Sequence, residues 1–222
     1  MCGRFVLAVN PEQLTLEFGL ERASEIASNY NVAPTQNVLA ITNEEPDAAV
    51  ALRWGLVPSW AKDLSIGAKM INARAETISE KPAFRTAFKR RRCLIPANGF
   101  YEWHKNEDGT KTPMYIHLSD REIFAFAGLW EVRRSDAGEV LRTCTIITTN
   151  ANTFMESIHD RMPVILHRDD YAAWLTPGDA DPGLLKSLLL PYDAEAMTAY
   201  PVSKAVNRAG YSSPELIQPL AS

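Results

Sequence analysis

The second residue of the chain is a cysteine, in Met1-Cys2-Gly3-Arg4-Phe5. An initiator methionine before a small residue is commonly trimmed. Trimming would leave Cys2 with a free α-amine and a thiol on adjacent carbons. An α-amine has a pKa of about 7.7–8.0 against about 10.4 for lysine, so a useful fraction is neutral at physiological pH. A thiol, at about 8.5, titrates in the same range. Such a 1,2-aminothiol has a distinctive chemistry with aldehydes. The amine forms an imine, the sulfur adds to the same carbon, and a durable five-membered thiazolidine closes. Serine would give a weaker ring and alanine none. Gly3 permits close approach of the backbone to a ligand. Arg4 places a fixed positive charge beside the amine, which is expected to favour the neutral amine and the thiolate.

Three other segments carry candidate chemistry. In Asn72-Ala73-Arg74-Ala75-Glu76 an extended backbone would put Asn72, Arg74 and Glu76 on one face. An amide there suits orienting a substrate, and a guanidinium suits holding a phosphate. Glu102 lies between Tyr101 and Trp103, with Phe100 on its own face. A carboxyl desolvated among aromatics fits a general acid or base. His159, in Ile158-His159-Asp160-Arg161-Met162-Pro163, is flanked by charge and suits proton transfer. Each has a plainer reading as well: a solvated edge strand, an exposed glutamate before a turn, a turn histidine. Basic residues cluster at Arg85, Lys89, Arg90, Arg91 and Arg92. Such a run is usually a solvated helix face. Trp54, Pro58 and Trp60 would supply apolar platforms if it lined a nucleic-acid groove, although core packing is the commoner use of tryptophan.

The elements that must position these residues are mostly strands. Asn10-Pro11-Glu12-Gln13 predicts a capped helix running to Phe18. Val38–Thr42 and Ala49–Leu56 read as strands, and Pro82 to Arg91 as a helix with Phe84 and Phe88 on one face. Leu94 to Trp103 is strand-like, and Asp108-Gly109 predicts a hairpin into Met114–Leu118. Ile123–Arg133 and Val140–Thr149 flank a turn at Asp136-Ala137-Gly138, and helical patterns return at Asp169–Leu175 and Gly183–Leu190. No regular βαβ alternation appears. The expectation is an α+β fold with a largely antiparallel, barrel-like sheet, as one domain over residues 1–222.

Composition sets the outer limits. The net charge is −4, with 46% apolar and 23% charged residues. That balance excludes collagen-like, coiled-coil and disordered chains, and it argues against coating duplex DNA by bulk charge. It leaves room for a local basic groove. No run approaches ~20 apolar residues, so no transmembrane helix and no signal peptide are expected. Cys2, Cys93 and Cys144 are odd in number and unpaired in spacing, which points to a reducing cytoplasm. His104, His117, His159 and His167 form no metal-ligand pattern, so neither a metal nor a cofactor is expected.

Taken together, these segments resemble the SRAP (SOS response-associated peptidase) family. The resemblance rests on Met1-Cys2-Gly3-Arg4-Phe5, Tyr30-Asn31-Val32-Ala33-Pro34, Arg53-Trp54-Gly55-Leu56-Val57-Pro58, Ile71-Asn72-Ala73-Arg74-Ala75-Glu76, Arg92-Cys93-Leu94-Ile95-Pro96 through Glu102-Trp103, Ile158-His159-Asp160-Arg161-Met162-Pro163 and Glu215-Leu216-Ile217-Gln218-Pro219. It spans essentially the whole chain, in order. It implies a twisted antiparallel pseudo-barrel with peripheral helices. It also implies a covalent trap for abasic sites in single-stranded DNA. By that resemblance Cys2 is the crosslinking nucleophile, Asn72 orients the amine and the sugar, and Glu102 and His159 assist ring opening and proton transfer. Arg4, Arg74 and Arg161 would grip phosphates and Trp60 would pack by displaced bases, with Gly3, Asn31 and Pro34 completing the DNA-binding set. The expected partner is single-stranded DNA carrying an abasic site, bound by a monomer, with no membrane or metal. The chain would be cytoplasmic, and nucleoid-associated once crosslinked. Autocatalytic loss of Met1, crosslink reversal and weak lyase activity lie within reach of the same groups.

Two alternatives stay open at this level. An N-terminal-nucleophile hydrolase of the glutaminase kind also begins Cys-Gly, and Asn98-Gly99 would serve as its oxyanion element. A non-covalent binder of single-stranded DNA would make Cys2 incidental.

Overall fold

Asn10 opens the first helix by accepting a hydrogen bond from Gln13 N–H at 2.8 Å, while the Gln13 side chain accepts from Asn10 N–H at 3.0 Å. With Pro11 in the first turn and Gly19 in the left-handed region at φ +65°, the helix α1 (Pro11–Phe18) starts and stops as its sequence dictates. The computed structural model describes residues 2–220 apart from 26, 135 and 136.

Strands dominate. In chain order they are β1 (Phe5–Leu7), β2 (Arg22–Ala23), β3 (Asn29–Val32), β4 (Asn37–Thr42), β5 (Glu45–Trp54), β6 (Asn72–Arg74), β7 (Arg92–Ala97) and β8 (Gly99–Lys105). These are followed by β9 (Lys111–Leu118), β10 (Phe124–Arg134), β11 (Val140–Asn150), β12 (Arg161–Pro163), β13 (Ile165–Leu166) and β14 (Met197–Pro201). Three more helices are α2 (Arg85–Arg90), α3 (Tyr171–Trp174) and α4 (Pro182–Ser187).

Strands β5, β4, β7, β10 and β11 pair in series, and a parallel contact of β11 with β5 closes the ring (Thr143 with Arg53, Cys144 with Trp54). Closure removes exposed edges from this barrel. A second sheet runs β14-β9-β8-β1-β3. It packs on the barrel through Phe5 and Phe100, whose rings meet Phe126 at 5.8 and 6.1 Å between centroids. The expectation of an α+β pseudo-barrel is met.

Two expected elements differ. The run Leu94–Trp103 is two strands, because Asn98 turns the chain out of the barrel into the second sheet. Asn98 N–H donates to the Val6 carbonyl at 2.8 Å, and its side-chain oxygen accepts from Ala8 N–H at 2.7 Å. Gly99 follows, where a Cβ would stand 2.5 Å from the Tyr115 ring and 2.6 Å from the Ile116 carbonyl oxygen. The expected helix from Pro82 contracts to α2, since residues 81–84 coil as turns before it. Asp136 of the expected 136–138 turn lies outside the described residues, as does Met1.

Candidate active site

The segment before β1 runs beside β8. Phe5 pairs with Phe100, and Tyr101 N–H donates to the Arg4 carbonyl at 3.0 Å. Continuing this antiparallel register sets Gly3 level with Glu102. Cys2 is fully buried and Glu102 is 3% exposed. Burial pushes the Cys2 thiol far above its ordinary range, and the Glu102 carboxylate pushes it further; Arg4 N–H on the sulfur only partly offsets this. The expectation that Arg4 favours the thiolate is therefore corrected. Its guanidinium turns away, donating to the Asn31 side-chain oxygen and to the Val206 carbonyl, both at 2.8 Å.

Asn72 is reached from the same strand through two aromatic steps. The Phe5 ring meets Trp54 edge-on at 5.3 Å, and the Trp54 indole N–H donates to the Ile71 carbonyl at 2.9 Å. β6 then lies parallel to β11, with Asn72 paired to Ile146 and Arg74 to Thr148. Both polar atoms of the Asn72 amide are buried with no hydrogen-bond partner among the described residues. Leaving such groups unpaired costs roughly 1–3 kcal/mol each, a cost that folding alone does not justify.

His159 comes from the other side. Alternation along β8 puts Phe100, Glu102 and His104 on one face. His104 Nδ1 lies 2.8 Å from the Ser157 carbonyl, which anchors the short helical turn Met155–Ser157 against β8 just before His159. His159 Nδ1 accepts from Arg161 N–H at 3.0 Å and sits 2.8 Å from the Asp160 carboxylate. The first contact suits a neutral ring protonated on Nε2. The second suits an imidazolium, so the ring has a partner in both protonation states.

The expected phosphate-binding residues divide. Arg74 and Trp60 are exposed, Trp60 at 62%. Arg161 is buried, its guanidinium held by Glu76, by the Asn150 side chain at 2.7 Å and by the Thr148 carbonyl at 2.8 Å. Asn31 is buried too, and its amide donates to the carbonyls of Val206, Arg208 and Tyr211 at 3.2, 3.1 and 2.8 Å. Its side chain is spent inside the protein, fixing Arg4 and the C-terminal segment. Pro34 is half-buried in a turn whose next residue, Thr35, holds φ +71°, and Gly3 is half-buried beside Cys2. Trp54 and Pro58 are buried and form no platform. Asn150, which sequence reading missed, has no local signal; only its place opposite Arg161 in the β11–β12 pair reveals it.

The face of β8 and β9 opposite Glu102 bears a separate concavity of about 560 Å³, lined by Tyr30, Tyr115, His117 and Tyr200 among others. None of Cys2, Asn72, Glu102 or His159 reaches it. The glutaminase reading loses its oxyanion element, because the Asn98 amide donates to the Glu122 carbonyl at 3.1 Å and its oxygen serves Ala8.

The model of the SOS response associated peptidase (SRAP) family matches residues 1–209. The chain belongs to the SRAP family. Among its SRAP relatives, abasic site processing protein YoqW of Bacillus subtilis is 51% identical, covering 98% of this chain and 99% of that protein. Abasic site processing protein HMCES of Xenopus tropicalis is 31% identical, covering 84% of this chain and 64% of that protein. A crystal structure of a Bacteroides thetaiotaomicron protein superposes with a TM-score of 0.90 at 30% identity, covering 99% of this chain and all of the other. The SRAP barrel is thus shared at the level of the whole chain.

Proposed function

We propose that this SRAP protein processes abasic sites by trapping them covalently in single-stranded DNA, with Cys2 as the nucleophile. The relatives' designation as abasic site processing proteins supports the substrate. The carrying observation is the buried Cys2 thiol beside Glu102, joined through Trp54 to an Asn72 amide left without a partner among the described residues.

The arrangement supports one order of events. An abasic deoxyribose is in equilibrium with its open-chain aldehyde at C1′. The buried thiol stays protonated, so the α-amine of Cys2, free once Met1 is removed, is the first nucleophile. Its nitrogen bonds to C1′, and the carbonyl oxygen leaves as water to give the imine. His159, partnered in both protonation states, suits the proton transfers of ring opening and water loss. Glu102 then takes the thiol proton, the sulfur bonds to C1′, and the proton is delivered to nitrogen as the C=N bond becomes single. The sum is one condensation with loss of one water and no oxidant. Asn72 would satisfy its donor and acceptor on the sugar and the amine. Arg74 and Trp60 meet the strand at the surface, while Arg4 and Arg161, held by Asn31 and Glu76, act from inside by fixing the segments around the site.

The test mixes the protein with single-stranded DNA bearing one abasic site and then denatures it. A heat- and detergent-stable adduct is expected, absent with Cys2→Ala and absent when Met1 is retained. An adduct of equal yield with Cys2→Ala would sink the proposal and leave a non-covalent binder.

A further inference from the structure

Away from the site, one coiled stretch concentrates unpaired positive charge. From Arg74 the backbone winds continuously: Thr77 N–H donates to Arg74 O at 3.2 Å, Lys81 to Thr77 O at 3.0 Å, and Arg85 to Lys81 O at 2.9 Å. α2 continues the coil to Arg90. Arg85 and Lys89 stand four apart on α2, so they stack along one side about 6 Å apart at roughly 1.5 Å rise per residue, and Lys81 lies four residues earlier, in the turn that leads into the helix. All three are exposed, and Ala87 and Phe88 hold the helix against the core.

Arg90 and Arg91 are held in ion pairs; among the described residues Lys81 and Arg85 are not, and Lys89 feels Asp179 only from beyond ion-pair distance. Arg90 pairs with Asp179 at 2.5 Å and Arg91 with Glu131 at 2.8 Å. Among the described residues Lys81, Arg85 and Lys89 have no carboxylate within ion-pair distance, and residues 81–92 contain no Asp or Glu. Like charges four apart on a helix oppose its formation. Folding therefore does not account for the stripe, in a chain whose net charge is −4. Arg85 and Lys89 also border a concavity of about 360 Å³ shared with Ser79, Thr86, Arg90 and Asp179.

We propose that Lys81, Arg85 and Lys89 form a phosphate track for the nucleic-acid strand on one side of the lesion, continuing outward from Arg74. This rests on the DNA reading above. Only one flank is held, since the coil leaves the site in one direction.

The experiment uses the full chain in a Cys2→Ala background, so that only reversible binding is read. Fluorescence anisotropy compares a short abasic oligonucleotide, covering the lesion and its immediate neighbours, with the same lesion extended 5′ or extended 3′. The triple variant K81A/R85A/K89A should weaken binding of one extended oligonucleotide about tenfold. It should also flatten its salt slope by about two, at roughly 0.7 per phosphate contact on a single strand. The short oligonucleotide and the other extension should bind as before. Circular dichroism of the variant should match the parent. Equal loss on all three oligonucleotides, or no loss on any, overturns the track. A wild-type chain that forms no Cys2-dependent adduct would instead overturn the covalent reading, and the anisotropy comparison would still decide the track.

Discussion

The Arg161 guanidinium closes on the Glu76 carboxylate through two contacts, Nη1 to Oε1 at 2.6 Å and Nη2 to Oε2 at 3.0 Å. This two-point pair joins the turn after β6 to the start of β12, and so ties the Asn72 segment to the His159 segment.

The pair should make stability sensitive to acid. The Arg161 hydrogen bond holds the Glu76 carboxyl below the usual carboxylate range. Its folded pKa is thus depressed, so its contribution is present above the unfolded value of about 4.3 and is lost as pH falls through the folded one. Glu76→Gln should cost about 1–2 kcal/mol at neutral pH, less than a fully buried pair because the Glu76 side chain is 42% exposed. Thermal melts of the two proteins should differ at pH 7 and draw together progressively as pH falls below the unfolded value of about 4.3. Parallel curves at all pH values would dismiss the pair as a stabilising element.

Asn72 should trade stability for function. Its amide is buried and without a partner among the described residues, so Asn72→Leu removes two unpaired groups at similar volume. The melting temperature should hold or rise, by the equivalent of up to about 1 kcal/mol, while adduct formation with abasic DNA falls at least about tenfold. A fall in melting temperature matching the loss of activity would assign Asn72 to structure alone.

Gly99 should tolerate no side chain. A Cβ there meets the Tyr115 ring at 2.5 Å and the Ile116 carbonyl oxygen, which belongs to the partner strand and cannot swing aside, at 2.6 Å. Gly99→Ala should destabilise by about 2–3 kcal/mol, as overpacking does. It should also slow adduct formation, because β8 carries Glu102 to Cys2. Urea unfolding with an unchanged midpoint would contradict the close approach.

What the sequence made legible followed from local chemistry. Asn10 and Gln13 close a capping box three residues apart, and Asp108-Gly109 turns a hairpin, so α1 and the β8–β9 pair could be read directly. The bend at Asn98 could not, because its partners are at Val6, Ala8 and Glu122 and the apolar run around it looks continuous. The site divides in the same way. Cys2, Glu102 and His159 announce their chemistry by residue type. That Asn31 and Arg161 are held inside the protein depends on residues 206–211 and on Glu76, distant in sequence, and no spacing rule reports such contacts.

The burial of Cys2 has a consequence for synthesis. Cys2 is synthesised before the residues that cover it: its surroundings include Glu102, and the ring beneath it closes only when Thr143 and Cys144 reach β5. At about 5–20 residues per second, that closure follows Cys2 by roughly 7–30 s. Throughout that interval the Cys2 thiol lacks its buried surroundings and is open to any free aldehyde. A window of exposure is therefore written into the order of the chain, and folding ends it.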